Sequence, residues 1–255
     1  MRILLTNDDG AGSPGITLLA GALRDAGHKV VMVAPSSNCS GASHSISFFK
    51  GTRKFAEIGR DSYSFDGTPA DCVLVALRGG LPEMDTTSGG KAPDAVVSGI
   101  NKGANLGTDI VFSGTAAAAR QGAFYGIPSL ALSLVHMGNW ERETWHWDDA
   151  VAFSVERLEE MLARWKPDSF LNVNLPNLGV KPLGLERAFP CARVYKDRID
   201  VGVGEDGQTY CSADLNEPGA RLEEGSDWNA IVANRASLSE IFIHPALLED
   251  VRRRQ

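Results

Sequence analysis

A run of apolar residues only a few positions long, Arg2 to Leu5, ends abruptly in Asn7, Asp8, Asp9 and Gly10. So short an apolar run, bounded by turn residues, reads as a strand buried on both faces, the strand type of a parallel sheet covered by helices. Gly10, Gly12, Pro14 and Gly15 supply turn chemistry, and Ile16, Leu18, Leu19, Ala22 and Leu23 then follow helical spacing. Ligands of open parallel sheets bind beyond the carboxyl ends of the strands. Adjacent carboxylates at such an end therefore suggest a metal site, because two like charges side by side stay ionised together only in water or against a cation. A solvated loop whose aspartates cap the following helix is the alternative.

The pattern recurs along the chain. Lys29 to Ala34 reads as the next strand and stops at Pro35, before the polar loop Ser36 to His44. Phe48 to Asp66 alternates apolar and polar residues, as antiparallel or edge strands do. Thr68 before Pro69 predicts a helix start with proline at the first helical position. Ala95 to Val97 is a short buried strand with Asn101 just beyond it, expected to face the same crevice as Asp8. A glycine-rich loop then leads through Ser113, Gly114 and Thr115 into the helix formers Ala116 to Gln121. Ile127 to Leu134 and Phe170 to Leu175 read as further buried strands, separated by one helix over Asp149 to Lys166. Beyond Pro176, short strand-like runs at Arg193 to Val203 and Gln208 to Ser212 flank the turn Glu205-Asp-Gly207 and predict a projecting hairpin. Leu238 to Ile243 returns to the main body as a strand, and Pro245 to Arg254 is expected to close the chain as a helix. The whole, residues 1–255, is expected to form one α/β domain, with the hairpin arm at about residues 190–215.

Composition narrows the function. A chain of 255 residues with 43% hydrophobic content can bury a sizeable core. A formal net charge of -7 argues against a polyanion-binding surface, so nucleic acid is not an expected partner. The start lacks a signal peptide's apolar region and cleavage site, and no long apolar window follows, so no membrane association and a cytoplasmic location are expected. Cys39, Cys72, Cys191 and Cys211 are scattered without metal-site spacing and read as reduced thiols. Cys39 lies in the polar loop, yet no basic partner at obvious spacing accompanies it, so a filler role is favoured over that of a nucleophile.

Asp8, Asp9, Ser40 and Asn101 each lie just past a predicted parallel strand, so the fold can gather them at one sheet edge. All four offer oxygen, the hard donor suited to Mg²⁺, Mn²⁺ or Ca²⁺, and no His or Cys among them suggests zinc. A cation there could polarise a phosphoryl oxygen and lower the pKa of a bound water. At the start of the alanine-rich helix, Ser113, Gly114 and Thr115 offer backbone N-H groups and a positive dipole end to a phosphate. Plain helix capping is the alternative for Ser-Gly-Thr alone. His44 shares a loop with Ser40 and could donate a proton to a leaving oxygen, contact phosphate, or fix Ser40 by a loop hydrogen bond. Asp8 could bind metal or orient and deprotonate the attacking water. Trp140, Trp145 and Trp147 read as packing for a loop and helix start, with base stacking as the other use.

The blocks Asn7-Asp-Asp-Gly10, Ser40-Gly-Ala-Ser-His-Ser45, Gly67-Thr-Pro-Ala-Asp-Cys-Val73, Ser98-Gly-Ile-Asn101 with Gly103 and Asn105, and Ser113-Gly-Thr115, in that order, resemble the signature blocks of the survival protein SurE family. The resemblance implies a Rossmann-like three-layer α/β sandwich with a mostly parallel sheet, a projecting β-hairpin arm and a C-terminal helix, assembled as a homodimer or homotetramer. It implies a divalent-metal-dependent phosphatase acting on nucleoside 5′- and 3′-monophosphates, sometimes with exopolyphosphatase activity. One cation per subunit, Mg²⁺ or Mn²⁺ with Ca²⁺ as a crystal substitute, would be held by Asp8, Asp9, Ser40 and Asn101. Asn7, Asn105, Ser113, Gly114 and Thr115 would lie on the phosphate side, and the catalytic set would be Asp8, Asp9 and His44. Gln121 stands where many members carry glutamate. Two competing functions stay open: an aspartyl-phosphate phosphatase with Asp8 as nucleophile, and a sensor that binds nucleotide or phosphate without turnover. The first usually places a second acid two positions on, where this chain has Gly10.

Overall fold

A computed structural model of the chain describes residues 1–48, 51–79, 81, 84, 91–136, 144–214 and 219–245. The expected closing helix, from residue 246 onward, and Trp140 lie outside these residues.

The opening run forms β1 (Arg2–Thr6), followed by α1 (Pro14–Asp25) and β2 (Lys29–Pro35). The alternating segment gives β3 (Phe55–Gly59) and β4 (Ser62–Phe65), which pair antiparallel. Helix α2 (Pro69–Arg78) begins at the predicted cap, where Thr68 accepts the Asp71 N-H and the Asp71 side chain accepts the Thr68 N-H. Next come β5 (Ala95–Lys102), α3 (Gly114–Ala123) and β6 (Ser129–Val135). The single helix expected over Asp149 to Lys166 is instead two, α4 (Trp147–Glu156) and α5 (Leu158–Leu162). Arg157 leaves helical geometry between them, at φ -104° and ψ 4°. The chain continues through β7 (Ser169–Pro176), β8 (Leu185–Arg187), β9 (Arg193–Val194), β10 (Arg198–Val203), β11 (Thr209–Asp214), β12 (Gly219–Ala220), α6 (Asp227–Val232) and β13 (Ala236–Phe242).

The main sheet has the order β3-β4-β2-β1-β5-β6-β7-β13-β8, parallel from β4 to β7. Alternation along β1 divides the core. Ile3 and Leu5 pack in one cluster with α1, α4 and α5 residues such as Ile16, Phe153 and Met161, whereas Leu4 packs in another with Cys72 and Val73 of α2 and Ala118 of α3. The result is a three-layer α/β sandwich, with β1 and β2 nearly continuous in apolar residues because both faces are covered. The chain leaves β1 toward β2 and β4, then crosses to β5, β6 and β7 on the other side. That reversal puts a crevice between the carboxyl ends of β1 and β5. No helix among the described residues is long and apolar enough to cross a membrane.

The projecting hairpin is β10 paired with β11 in a sheet of its own, turning at Glu205, Asp206 and Gly207. Arg193 and Val194, expected to be continuous with it, instead pair with β12 at its base. Ile199, Val201, Val203 and Tyr210 all stand exposed on it.

Candidate active site

Strand β1 delivers Asp8 and Asp9 to the crevice, and three other segments are tied to that pair. The Cys39 N-H donates to the Asp8 carbonyl at 2.7 Å, fixing the loop that carries Ser40. The Lys102 N-H donates to Asp9 Oδ2 at 2.9 Å, fixing the end of β5 beside Asn101. The Thr115 hydroxyl donates to Asp8 Oδ1 at 2.5 Å, drawing in the start of α3. Residues separated by as many as 107 positions thus meet at the crevice.

Local sequence explains how each is held. Gly10 takes φ +102° in the turn after the aspartates, a backbone conformation that glycine adopts without strain. The Asn7 side chain, expected toward phosphate, is fully buried and its amide N-H groups donate to the Gly10 carbonyl and Ser13 Oγ at 2.9 and 2.8 Å. It builds the aspartate turn, and its buried Oδ1 has no hydrogen-bond partner among the described residues. Asn101 donates its amide to the Gly103 carbonyl at 3.0 Å. Its carbonyl oxygen has no competing donor among the described residues. The pairing of β5 with β6 shifts register between Ser98 and Asn101, and it resumes with Asn101 opposite Ser133. Ser40 is exposed, and its N-H donates to Asn38 Oδ1 at 2.7 Å.

The start of α3 is more specialised than a bare phosphate cradle. Ser113 caps the helix by accepting the Ala116 N-H at 3.0 Å. Gly114 allows the helix to approach the aspartate: a Cβ there would stand 2.8 Å from Asp8 Cβ. Thr115 is fully buried and faces Asp8, so the amides of Gly114 and Thr115 serve that carboxylate as well as the crevice. Asn105 is buried in an amide network that sequence reading missed. Its N-H donates to Asn174 Oδ1 at 2.9 Å, its side chain to Ser133 Oγ at 2.8 Å, and its carbonyl accepts from Asn172 and Asn174. Two asparagines at i and i+2 in an otherwise apolar strand put polar groups on one face of β7, and that was the available signal.

The electrostatics follow from burial. Asp8 is only 4% exposed, and desolvation holds its carboxyl above the usual range despite the Thr115 and helix-end hydrogen bonds. Asp9 is pushed to about 6 by burial, with Asp8 adding repulsion and the Lys102 N-H opposing it. A nearby cation would reverse both shifts. Oxygen is the only donor type that Asp8, Asp9, Ser40 and Asn101 offer, so the set fits a hard divalent cation, and among the described residues no cluster of three or more His, Cys, Asp or Glu forms. His44 Nε2 lies 2.8 Å from Gln121 Oε1 on α3. With Oε1 accepting, Nε2 carries the proton. Burial lowers the His44 pKa below its ordinary value, the Gln121 hydrogen bond opposing it. The Cys39 thiol is raised by burial and by Asp8, Asp71 and Asp66, which suits a filler rather than a nucleophile.

A doubly wound α/β sandwich with paired carboxylates, an amide and a hydroxyl around its switch point is a protein of the Rossmann-like class. The family model described as "Survival protein SurE" matches residues 3–196, and the chain belongs to that family. It is 38% identical over 243 residues to "5'-nucleotidase SurE" of Aquifex aeolicus, covering 94% of this chain and 91% of that one. It is 39% identical over 248 residues to the protein of the same name from Chloroflexus aggregans, covering 94% and 92%. The solved structure "Crystal Structure of Sure Protein from Aquifex aeolicus" superposes with a TM-score of 0.81 at 36% identity, over 99% of this chain and 98% of that one.

Proposed function

We propose that the chain is a divalent-metal-dependent nucleotidase that hydrolyses nucleoside 5′- and 3′-monophosphates. The observation that carries this reading is the buried Asp8-Asp9 pair, tied to the ends of β5 and α3, in a chain whose relatives are named 5'-nucleotidases. Asp8, Asp9, Ser40 and Asn101 would hold one cation, Mg²⁺ or Mn²⁺. Bound there, it would polarise the phosphoryl oxygen and supply activated water.

The protein's own groups do the rest. Thr115 and the α3 amides orient Asp8, while the Lys102 N-H orients Asp9. Ser113 and Asn105 border the phosphate side, and His44, with Nε2 donating to Gln121 Oε1, can hand a hydrogen bond toward the leaving oxygen if it releases Gln121. Asp8 is a poor nucleophile, since its carboxylate is buried and Oδ1 already accepts from Thr115, which disfavours an aspartyl-phosphate route.

The exposed apolar residues of the hairpin support assembly into a homodimer or homotetramer through that arm. The four free cysteines agree with a cytoplasmic setting. The deciding experiment is phosphate release from a nucleotide panel, with inorganic polyphosphate included, in Mg²⁺ or Mn²⁺ and then in chelator. Metal-dependent release that is lost in Asp9→Ala is the expected result. Release that is insensitive to chelator or to that substitution removes the site, and binding without release favours the sensor.

A further inference from the structure

Phe112 is 57% exposed and directly precedes Ser113. Its backbone is locked at the crevice rim: the Ser43 N-H donates to the Phe112 carbonyl at 3.0 Å, and the Ser43 hydroxyl donates to the Val111 carbonyl at 2.7 Å. Phe112 thus stands between the Ser40 loop and the start of α3. Tyr195 meets it edge-on, with centroids 6.3 Å apart and planes at 90°. Tyr195 is itself anchored, because its hydroxyl donates to Asp109 Oδ1 at 2.7 Å and lies 3.0 Å from Thr108 Oγ1. Asp109 in turn accepts from Arg193 Nε at 2.9 Å. Neither ring belongs to the hydrophobic core. An aromatic surface fixed from two sides, exposed, and next to a phosphate site has the chemistry of a stacking platform.

We propose that Phe112, edged by Tyr195, is the surface on which the nucleobase of a nucleoside monophosphate stacks while its phosphate sits in the crevice beside Ser113. This rests on the nucleotidase reading and makes Phe112 a specificity-determining residue. Other rings near the crevice are engaged. Trp145 carries the Lys102 ammonium 5.2 Å from its centroid and stacks on Trp147 at 5.9 Å, and Phe124 stacks on His44 at 5.6 Å. Every base has a π face, so such a platform favours nucleotides over other phosphomonoesters while discriminating weakly between bases.

The test compares AMP with ribose 5-phosphate, which lacks the base, using wild type, Phe112→Ala and Phe112→Trp with Mn²⁺. Stacking predicts that wild type favours AMP in kcat/KM by about tenfold, equivalent to about 1.4 kcal/mol. In Phe112→Ala the ratio falls toward one through a higher KM for AMP, and Phe112→Trp restores it. A ratio unchanged by Phe112→Ala overturns the inference, as does an equal loss on both substrates. Calorimetric Kd values for the same two compounds decide it independently of turnover. If nothing is hydrolysed, the nucleotidase reading fails, and the Kd ratio still supports or refutes stacking; no binding of AMP at all refutes both.

Discussion

Thr115→Val isolates the contact that ties α3 to the aspartate pair. Valine keeps nearly the same volume at a fully buried position but removes the donor to Asp8 Oδ1. Leaving a buried acceptor unsatisfied costs about 1–3 kcal/mol. At roughly 2–4 °C per kcal/mol for a chain of this size, the melting midpoint of the metal-free protein should drop by roughly 2–12 °C. The functional effect is separable from this. When Asp8 serves as a metal ligand, Thr115 is the outer partner that fixes its orientation, and losing such a partner weakens metal binding by roughly 10–100-fold. Calorimetric titration with Mn²⁺, together with the Mn²⁺ dependence of phosphate release, reads that change directly. Thr115→Ser keeps the hydroxyl and should retain most of the affinity. A valine variant that melts within about 1 °C of wild type and binds Mn²⁺ equally well would refute the assigned role of this bond.

Three further outcomes follow from the geometry. Gly114→Ala forces a methyl to within 2.8 Å of Asp8 Cβ and 3.0 Å of Pro69 Cγ, and guanidinium unfolding should show a loss of about 1–3 kcal/mol. Gln121→Glu puts a carboxylate beside His44 Nε2 and should raise the ring's pKa, read by NMR titration; an unchanged or lower value would contradict the pairing. In the native protein burial lowers that pKa, so the stability tied to neutral His44 is present above its ordinary 6.5 and is lost as pH falls through the lower folded value; a substitution that raises the folded pKa shrinks that dependence. Arg193→Met leaves the half-buried Asp109 without its cation and should cost about 1–2 kcal/mol in chemical unfolding, less than for fully buried pairs because Tyr195 still donates.

Local signals carried the fold a long way. The apolar runs at β1, β2, β6 and β7 and the Thr68-Pro69 cap were legible because each is specified within a few residues. Strand β5 was read as ending at Val97, yet it continues to Lys102, because the polar residues of Ser98-Gly-Ile-Asn101 interrupt the apolar pattern without breaking the pairing. The break at Arg157 was invisible to periodicity: Val151, Phe153, Leu158 and Met161 pack in one cluster on both sides of it, and no glycine or proline marks the place. At the site, the placement of Asp8, Asp9 and Asn101 at neighbouring strand ends could be read from strand ends alone. The inward turn of Thr115 and the clasp of Asn172 and Asn174 on Asn105 could not, since they depend on contacts between segments tens of residues apart.

Those long-range contacts change how charge is distributed in the crevice. A helix N-terminus favours an anion, and in an isolated strand-loop-helix reading that anion is the phosphate. Here the first anion at α3 is Asp8, held by the Thr115 hydroxyl and the amides of Gly114 and Thr115. The helix end therefore offsets part of the burial penalty of Asp8, which nevertheless stays raised, and Asp9 beside it is raised as well. A phosphate entering this crevice meets the Asp8-Asp9 pair, and on the proposed reading a bound cation would cancel that repulsion. The same feature that makes the bare site unfavourable to phosphate would favour the divalent cation of the proposed reading, which Asp8 and Asp9 would hold and which would supply positive charge to the phosphoryl group.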